Sequence, residues 1–190
     1  MNYFSHMRII AIRHGEIPLN AQDRLTGWID QDLTPAGRDQ ALRLADSLQQ
    51  GFEVLFASPL LRTVSTAAIL AAKYPCKIVL DPNLRERNFG SLNGKTWAEV
   101  EAETGQDLRH QDIDLMNYDY RPYAGESVAQ VTARARAFIR SATACGATAC
   151  GATGDVAAVT HGGIIKILYS LLPSDHRQPI SNCSIHIFHL

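Results

Sequence analysis

No apolar run in this 190-residue chain approaches the roughly 20 residues needed to cross a bilayer. The N-terminus lacks a basic region followed by a long apolar stretch, so no secretory signal is expected. Cysteine is scarce: Cys76, Cys145, Cys150 and Cys183 form no CxxC pair, and no His/Cys cluster has zinc-finger spacing. Reduced thiols in a cytoplasmic protein are the plain expectation, with no bound metal. An excess of one charge is missing too. The 18 Lys+Arg and 19 Asp+Glu leave a formal net charge of -1. That balance argues against bulk electrostatic binding of nucleic acid or of a membrane surface, but not against a local anion site.

What is present is a sizeable apolar content, 46% of residues, which excludes a disordered chain. The length predicts one domain over residues 1–190, and residues 1–6 look like an extension before the first strand.

Short β-branched runs alternate with helical patterns. Strands are expected at 8–12, 54–57, 77–80, 155–160 and 184–190. Thr34-Pro35 and Ser58-Pro59 each pair a capping residue with a proline suited to a first helical turn, and Gly51 reads as the stop of the first of these helices. Capping boxes stand at Thr96-x-x-Glu99 and Ser127-x-x-Gln130. The stretch between Ile12 and Thr34 reads as loop. Residues 84–125 break the rhythm and read as an insertion over one face. The tandem Ala-Cys-Gly-Ala-Thr at 144–153 reads as a helix end and loop. The order βα, βα, β, insertion, αβ, αβ predicts a three-layer α/β fold: an open, mostly parallel sheet with helices on both faces.

Three polar motifs follow strands directly: Arg13-His14-Gly15-Glu16, Ser58-Pro59-Leu60-Leu61-Arg62 and Thr160-His161-Gly162-Gly163. Ligands of open α/β sheets bind beyond the carboxyl ends of the strands, so the motifs should converge. Arginine binds phosphate bidentately, glycines opening a helix leave N–H groups for an anion, and a neutral imidazole is a nucleophile. Arg13 and Arg62 should keep His14 neutral by disfavouring a third cation. Singly, each of these residues is as well explained as a cap or a solvated side chain; together they describe a phosphoryl site.

Two decoys fall away. Gly90 to Thr96 looks like a P-loop ending, but has one residue too few between its glycines and no strand before it. His186 and His189 sit three apart on a strand and face opposite ways, which makes no metal pair.

The motifs also resemble those of the histidine phosphatase (phosphoglycerate mutase-like) superfamily. The resemblance runs through Arg13-His14-Gly15-Glu16 with Asn20, Thr26-Gly27-Trp28, Asp32-Leu33-Thr34 with Gly37 and Gln40-Ala41, and Ser58-Pro59-Leu60 with Arg62 and Thr66-Ala67. It continues through Leu84-Arg85-Glu86-Arg87 with Phe89-Gly90, Gly125-Glu126-Ser127 and His161-Gly162-Gly163. Ile17-Pro18 departs from the small hydroxylic residue usual after the glutamate.

The resemblance implies a metal-independent, cofactor-free phosphomonoesterase acting on a small phosphorylated metabolite. His14 would become a phosphohistidine. Arg13, Arg62 and His161 would hold the phosphoryl oxygens, with Gly162 beside them. Glu86 would act as acid and then base, while Asn20, Thr26 and Gly27 would line the substrate side. A mere ion pair with Arg85 or Arg87 is the other account of Glu86. A phosphoglycerate mutase is the alternative activity, disfavoured because mutases carry a longer insertion than the one here. A catalytically inactive phospholigand-binding module should have lost His14, Glu86 or His161, and all three are present. A homodimer is compatible with the sequence and not required by it.

Overall fold

The computed structural model describes residues 7–49, 51–110, 118–149 and 155–190. The extension at 1–6 and most of the second Ala-Cys-Gly-Ala-Thr copy lie outside the described residues. Strands β1 (Arg8–Arg13), β2 (Val54–Ala57), β3 (Lys77–Leu80), β4 (Val156–Thr160) and β5 (Ile185–His189) form one sheet in the order β3-β2-β4-β1-β5. β1 runs parallel to β4, and β2 runs parallel to both β4 and β3; β5 closes the edge antiparallel to β1. Every residue of β4 is buried, as expected of a central parallel strand covered on both faces.

The two-residue period of the strands divides the core. Ile9, Ala11, Phe56, Val156 and Ala158 face Val131 and Phe138 of α6 (Val128–Ala149) and Ile164 and Leu168 of α7 (Gly162–Leu171). Phe56 and Phe138 meet edge to face at 5.7 Å. Ile12, Leu55, Ala57 and Val159 face Leu44 and Ala45 of α2 (Pro35–Ser47) and Ala67 and Leu70 of α3 (Leu61–Lys73). Helices therefore cover both faces, as predicted.

The expected caps largely hold. The Thr34 hydroxyl accepts the Gly37 N–H at 2.9 Å, and both capping boxes close reciprocally. The first of these boxes opens α4 (Trp97–Thr104). Three local readings need correction. A short helix, α1 (Pro18–Ala21), stands where loop was expected, its Ile17 N–H taken by the Asn20 side chain at 3.3 Å. Helix α3 starts at Leu61 rather than beside Ser58, whose hydroxyl meets His161 at 2.9 Å and accepts the Leu60 N–H at 3.4 Å. Helix α2 ends at Ser47, before Gly51, with Leu48 already extended. The first Ala-Cys-Gly-Ala-Thr copy is helical, within α6.

The segment from Leu84 onward packs a smaller cluster of its own: Phe89, Leu92, Val100, Leu108 (in the short α5, Leu108–His110) and Tyr120, with Leu25. Among the described residues no helix is long and apolar enough to cross a membrane.

Candidate active site

β2, β4 and β1 are neighbours, so their carboxyl ends open side by side. The ladder runs past the strand ends: the His14 N–H donates to the Thr160 carbonyl and the Ser58 N–H to the Val159 carbonyl, both at 3.1 Å. This brings the three polar motifs together, at a cavity of about 720 Å³ lined by Arg13, His14, Asn20, Thr26, Glu86 and Gly162 among others.

His14 is almost fully buried. Its Nδ1 lies 2.7 Å from the Gly15 carbonyl, which can only accept, so Nδ1 carries the proton and Nε2 keeps its lone pair. Burial, then the charges of Arg62 and Arg13, holds His14 well below the ordinary imidazole range. His161 stands 5.1 Å away, ring centre to ring centre. Arg62 Nε donates to its Nδ1 at 3.2 Å, so the His161 proton sits on Nε2 and points to the Ser58 hydroxyl. Burial and the same arginines depress His161 as well. The site thus holds two neutral histidines between two cations.

Arg62 is fully buried, and its η nitrogens donate to the carbonyls of Ile29 and Gly27 at 2.9 and 2.8 Å. Three of the five N–H donors of a guanidinium are thereby engaged within the protein. Burial lowers its pKa to about 10, which leaves it charged at neutral pH. Arg13 is anchored by the Ile180 carbonyl at 2.8 Å, and burial lowers its pKa too.

Glu86 is buried and also lines the cavity. Its carboxylate accepts the Arg87 N–H at 2.8 Å and, at the start of α7, the Gly163 N–H at 3.2 Å. Trp28 Nε1 donates to the Glu86 carbonyl at 2.7 Å. Arg134 pairs with Glu126 at 2.8 Å and caps the carbonyls of Asn83 and Arg85. Glu86 is therefore held from three directions, and it makes no ion pair with Arg85 or Arg87. The cavity's other carboxylate, Asp23, faces Arg109 at 3.3 Å.

Some expected site residues stand elsewhere than expected. Arg62 and His161 do not line the cavity wall; they back His14 from beneath. Gly27 gives its carbonyl to Arg62 rather than facing the cavity, in a left-handed conformation (φ 43°) where a side chain would also strike Asn93. Gly162 and Gly163 both line the cavity, and the Gly163 N–H serves Glu86. Gly90 to Thr96 is a 3-10 turn and a helix cap, not a phosphate loop. His186 and His189 part as expected, His186 toward Tyr169 and His189 toward Asp175.

The sequence reading missed Asn182, whose amide donates to the His14 carbonyl at 3.0 Å and to Asn20 at 3.3 Å. Thr66, named above only as part of the resemblance, gains a role: its hydroxyl accepts the Gly15 N–H at 3.1 Å and donates to the Arg62 carbonyl at 2.7 Å. Lys166 and Arg177 on the cavity wall were missed as well. Among the described residues no group of three His, Cys, Asp or Glu could hold a metal ion.

A sheet with paired histidines, buried arginines and one held carboxylate at its carboxyl edge defines a phosphoryl-transfer class of site. The family model of the histidine phosphatase superfamily (branch 1) matches residues 9–190, and the chain belongs to that superfamily. It is 32% identical to phosphoglycerate mutase-like protein 4 of Arabidopsis thaliana, over 97% of this chain and 80% of that one. It is 32% identical to the metal-independent phosphoserine phosphatase of the same plant, over 96% and 76%. The solved structure of a mycobacterial glucosyl-3-phosphoglycerate phosphatase with VO3 superposes with a TM-score of 0.77 at 28% identity, covering 95% of this chain and 91% of that one.

Proposed function

We propose that this chain hydrolyses a small phosphomonoester through a phosphohistidine on His14. The observation that carries this is a buried His14 in the cavity lining, its Nδ1 proton pinned by the Gly15 carbonyl, with Arg13 and Glu86 lining the same cavity. The His14 Nε2 lone pair attacks phosphorus as the ester P–O bond breaks, and Glu86 gives its proton to the departing oxygen. Arg13 and the Gly162 backbone neutralise charge on the equatorial oxygens, and the buried Arg62 adds its positive charge from behind the cavity lining. Asn20 and Thr26 shape the substrate side. Glu86, now a carboxylate, takes a proton from water as the water oxygen attacks phosphorus. The P–N bond breaks, and inorganic phosphate leaves with His14 neutral again.

Arg62 and His161 support this reading from beneath: His161 relays the position of Ser58 to Arg62 through its two ring nitrogens. Transfer to a second hydroxyl, as in a mutase, would share the first half-reaction and release no inorganic phosphate. Hydrolysis is preferred because residues 84–125 make only a short insertion. In the same reading the chain is one domain, acts in the cytoplasm on a small molecule rather than on nucleic acid or membrane, and needs no cofactor; a homodimer would leave the site as described.

The test is a rapid base quench after exposure to a labelled ester. An acid-labile, base-stable label on His14 is expected. His14→Ala should lower turnover by roughly a thousandfold or more, since no other side chain at the cavity floor can replace the nucleophile. Turnover should persist after exhaustive chelation. Near-normal turnover by the variant, or complete loss with EDTA restored by one metal, would overturn the proposal.

A further inference from the structure

Trp28 is a large apolar side chain left at the surface, 37% exposed, and it does not line the cavity. It is placed neither to build the core nor to touch a substrate. Its indole N–H, in contrast, is the closer of two donors to the Glu86 carbonyl, at 2.7 Å against 3.4 Å for Arg134.

That carbonyl belongs to the peptide unit between Glu86 and Arg87. The N–H of the same unit donates to the Glu86 carboxylate at 2.8 Å. A trans peptide is planar, and its C=O and N–H point in opposite directions. A grip on the oxygen therefore fixes where the N–H aims. Trp28 is connected to the carboxylate through one rigid plane. The other contact of the carboxylate, the Gly163 N–H at 3.2 Å, comes from α7, and one bond alone does not fix a carboxyl plane.

The indole is itself held. The Arg85 guanidinium lies over its ring, 5.3 Å from the centre. The turn that carries it is pinned on both sides of Trp28, because Arg62 donates to the carbonyls of Gly27 and Ile29. Next along, the Asp30 carboxylate accepts the N–H of Leu61, the first residue of α3, at 2.6 Å. This turn joins the buried arginine behind His14 to the loop that carries the acid.

We propose that Trp28 is a positioning residue for the proton transfer: its indole N–H sets the Glu86–Arg87 peptide plane, and through it the carboxyl that protonates the leaving oxygen. This rests on the phosphatase reading and deepens it.

The test is single-turnover phosphorylation with two esters of similar size, benzyl phosphate and p-nitrophenyl phosphate. The benzyl alkoxide needs a proton as it leaves, and p-nitrophenolate scarcely does. Trp28→Phe keeps a ring for Arg85 and removes the N–H. Its phosphorylation by benzyl phosphate should slow by about tenfold, as expected of one lost hydrogen bond and a slightly misplaced acid. With p-nitrophenyl phosphate, the internal measure of an intact site, the fall should stay below about threefold, and the half-saturating concentration of either ester should change by less than about twofold. In a Glu86→Gln background, where no proton can be given, Trp28→Phe should slow benzyl phosphate by no more than about twofold further. Equal slowing of both esters, no slowing of benzyl phosphate, or full additivity with Glu86→Gln overturns the positioning role and leaves the phosphatase reading standing. Failure of the wild type to form a phosphoenzyme with either ester overturns both.

Discussion

A single carboxylate separates the two halves of the proposed reaction, and its environment makes it testable on its own. Glu86 is held by two backbone N–H groups, one on each carboxylate oxygen, so Glu86→Gln keeps its size but loses the transferable proton together with one of those two contacts. Alkyl phosphates, whose leaving alkoxide needs that proton, should be slowed about a hundred- to ten-thousandfold. p-Nitrophenyl phosphate should be spared far more in the phosphorylation step, because its leaving group scarcely needs an acid. Single-turnover phosphorylation with both esters checks this. Equal slowing would remove Glu86 from the role. Glu16 and Glu126 are poor replacements: Glu16 accepts from the Thr34 hydroxyl at 2.8 Å, Glu126 is tied to Arg134, and neither lines the cavity. Much of this was legible in the sequence at the residue scale. His14, Arg62 and His161 each follow a parallel strand whose carboxyl end must open at the same edge. Asn182 and Arg177 were not legible for the same reason. They precede the antiparallel β5, so their loop reaches that edge from the opposite chain direction, and no rule about segments after strands finds them.

Elements set those residues in place, and the start of α7 shows how closely. Gly163 gives its N–H to Glu86, and a Cβ there would overlap the Glu86 carboxylate. Backbone does not crowd that position, so Gly163→Ala should fold. The flexible carboxylate must yield instead. We expect the melting temperature of Gly163→Ala to stay within a few degrees of wild type while kcat for alkyl phosphates falls by roughly ten- to a hundredfold. Circular dichroism melting beside steady-state assays checks both halves. A variant with full activity would show that Glu86 works from another position. The sequence placed glycines at this turn for an anion, and the structure gives one of them to the acid instead. A similar shift is seen at α3. Ser58-Pro59 carries the usual signal of a helix start, yet the serine hydroxyl faces His161 and the helix waits until Leu61. Local propensity was overruled wherever a side chain had been recruited to the site. The two capping boxes followed their local signals closely.

The whole molecule bears the cost of keeping histidines neutral in its interior. Burial and neighbouring arginines hold His14 and His161 well below 6.5, and burial lowers His186 to about 4. In the unfolded chain all three should titrate near the ordinary value of about 6.5. A depressed folded pKa means that unfolding takes up protons, so stability is fully present above the unfolded pKa and is lost as pH falls toward the folded one. Each proton taken up contributes a slope of about 1.4 kcal/mol per pH unit. Between pH 6 and pH 5, three such groups together approach a slope of about 4 kcal/mol per pH unit, with the full value reached only where each is protonated unfolded and neutral folded. We therefore expect the urea midpoint to be nearly level from pH 8 to pH 7 and to drop steeply from pH 6 to pH 5. His186→Gln removes one titrating group outside the phosphoryl site and should flatten the drop by up to about a third. Phosphate or vanadate, bound only by the folded chain, should raise the midpoint at every pH without changing the His186 contribution. A midpoint that stays level down to pH 5 would show that these histidines accept protons in the folded state, and the neutral His14 on which the nucleophilic attack depends would have to be abandoned with it.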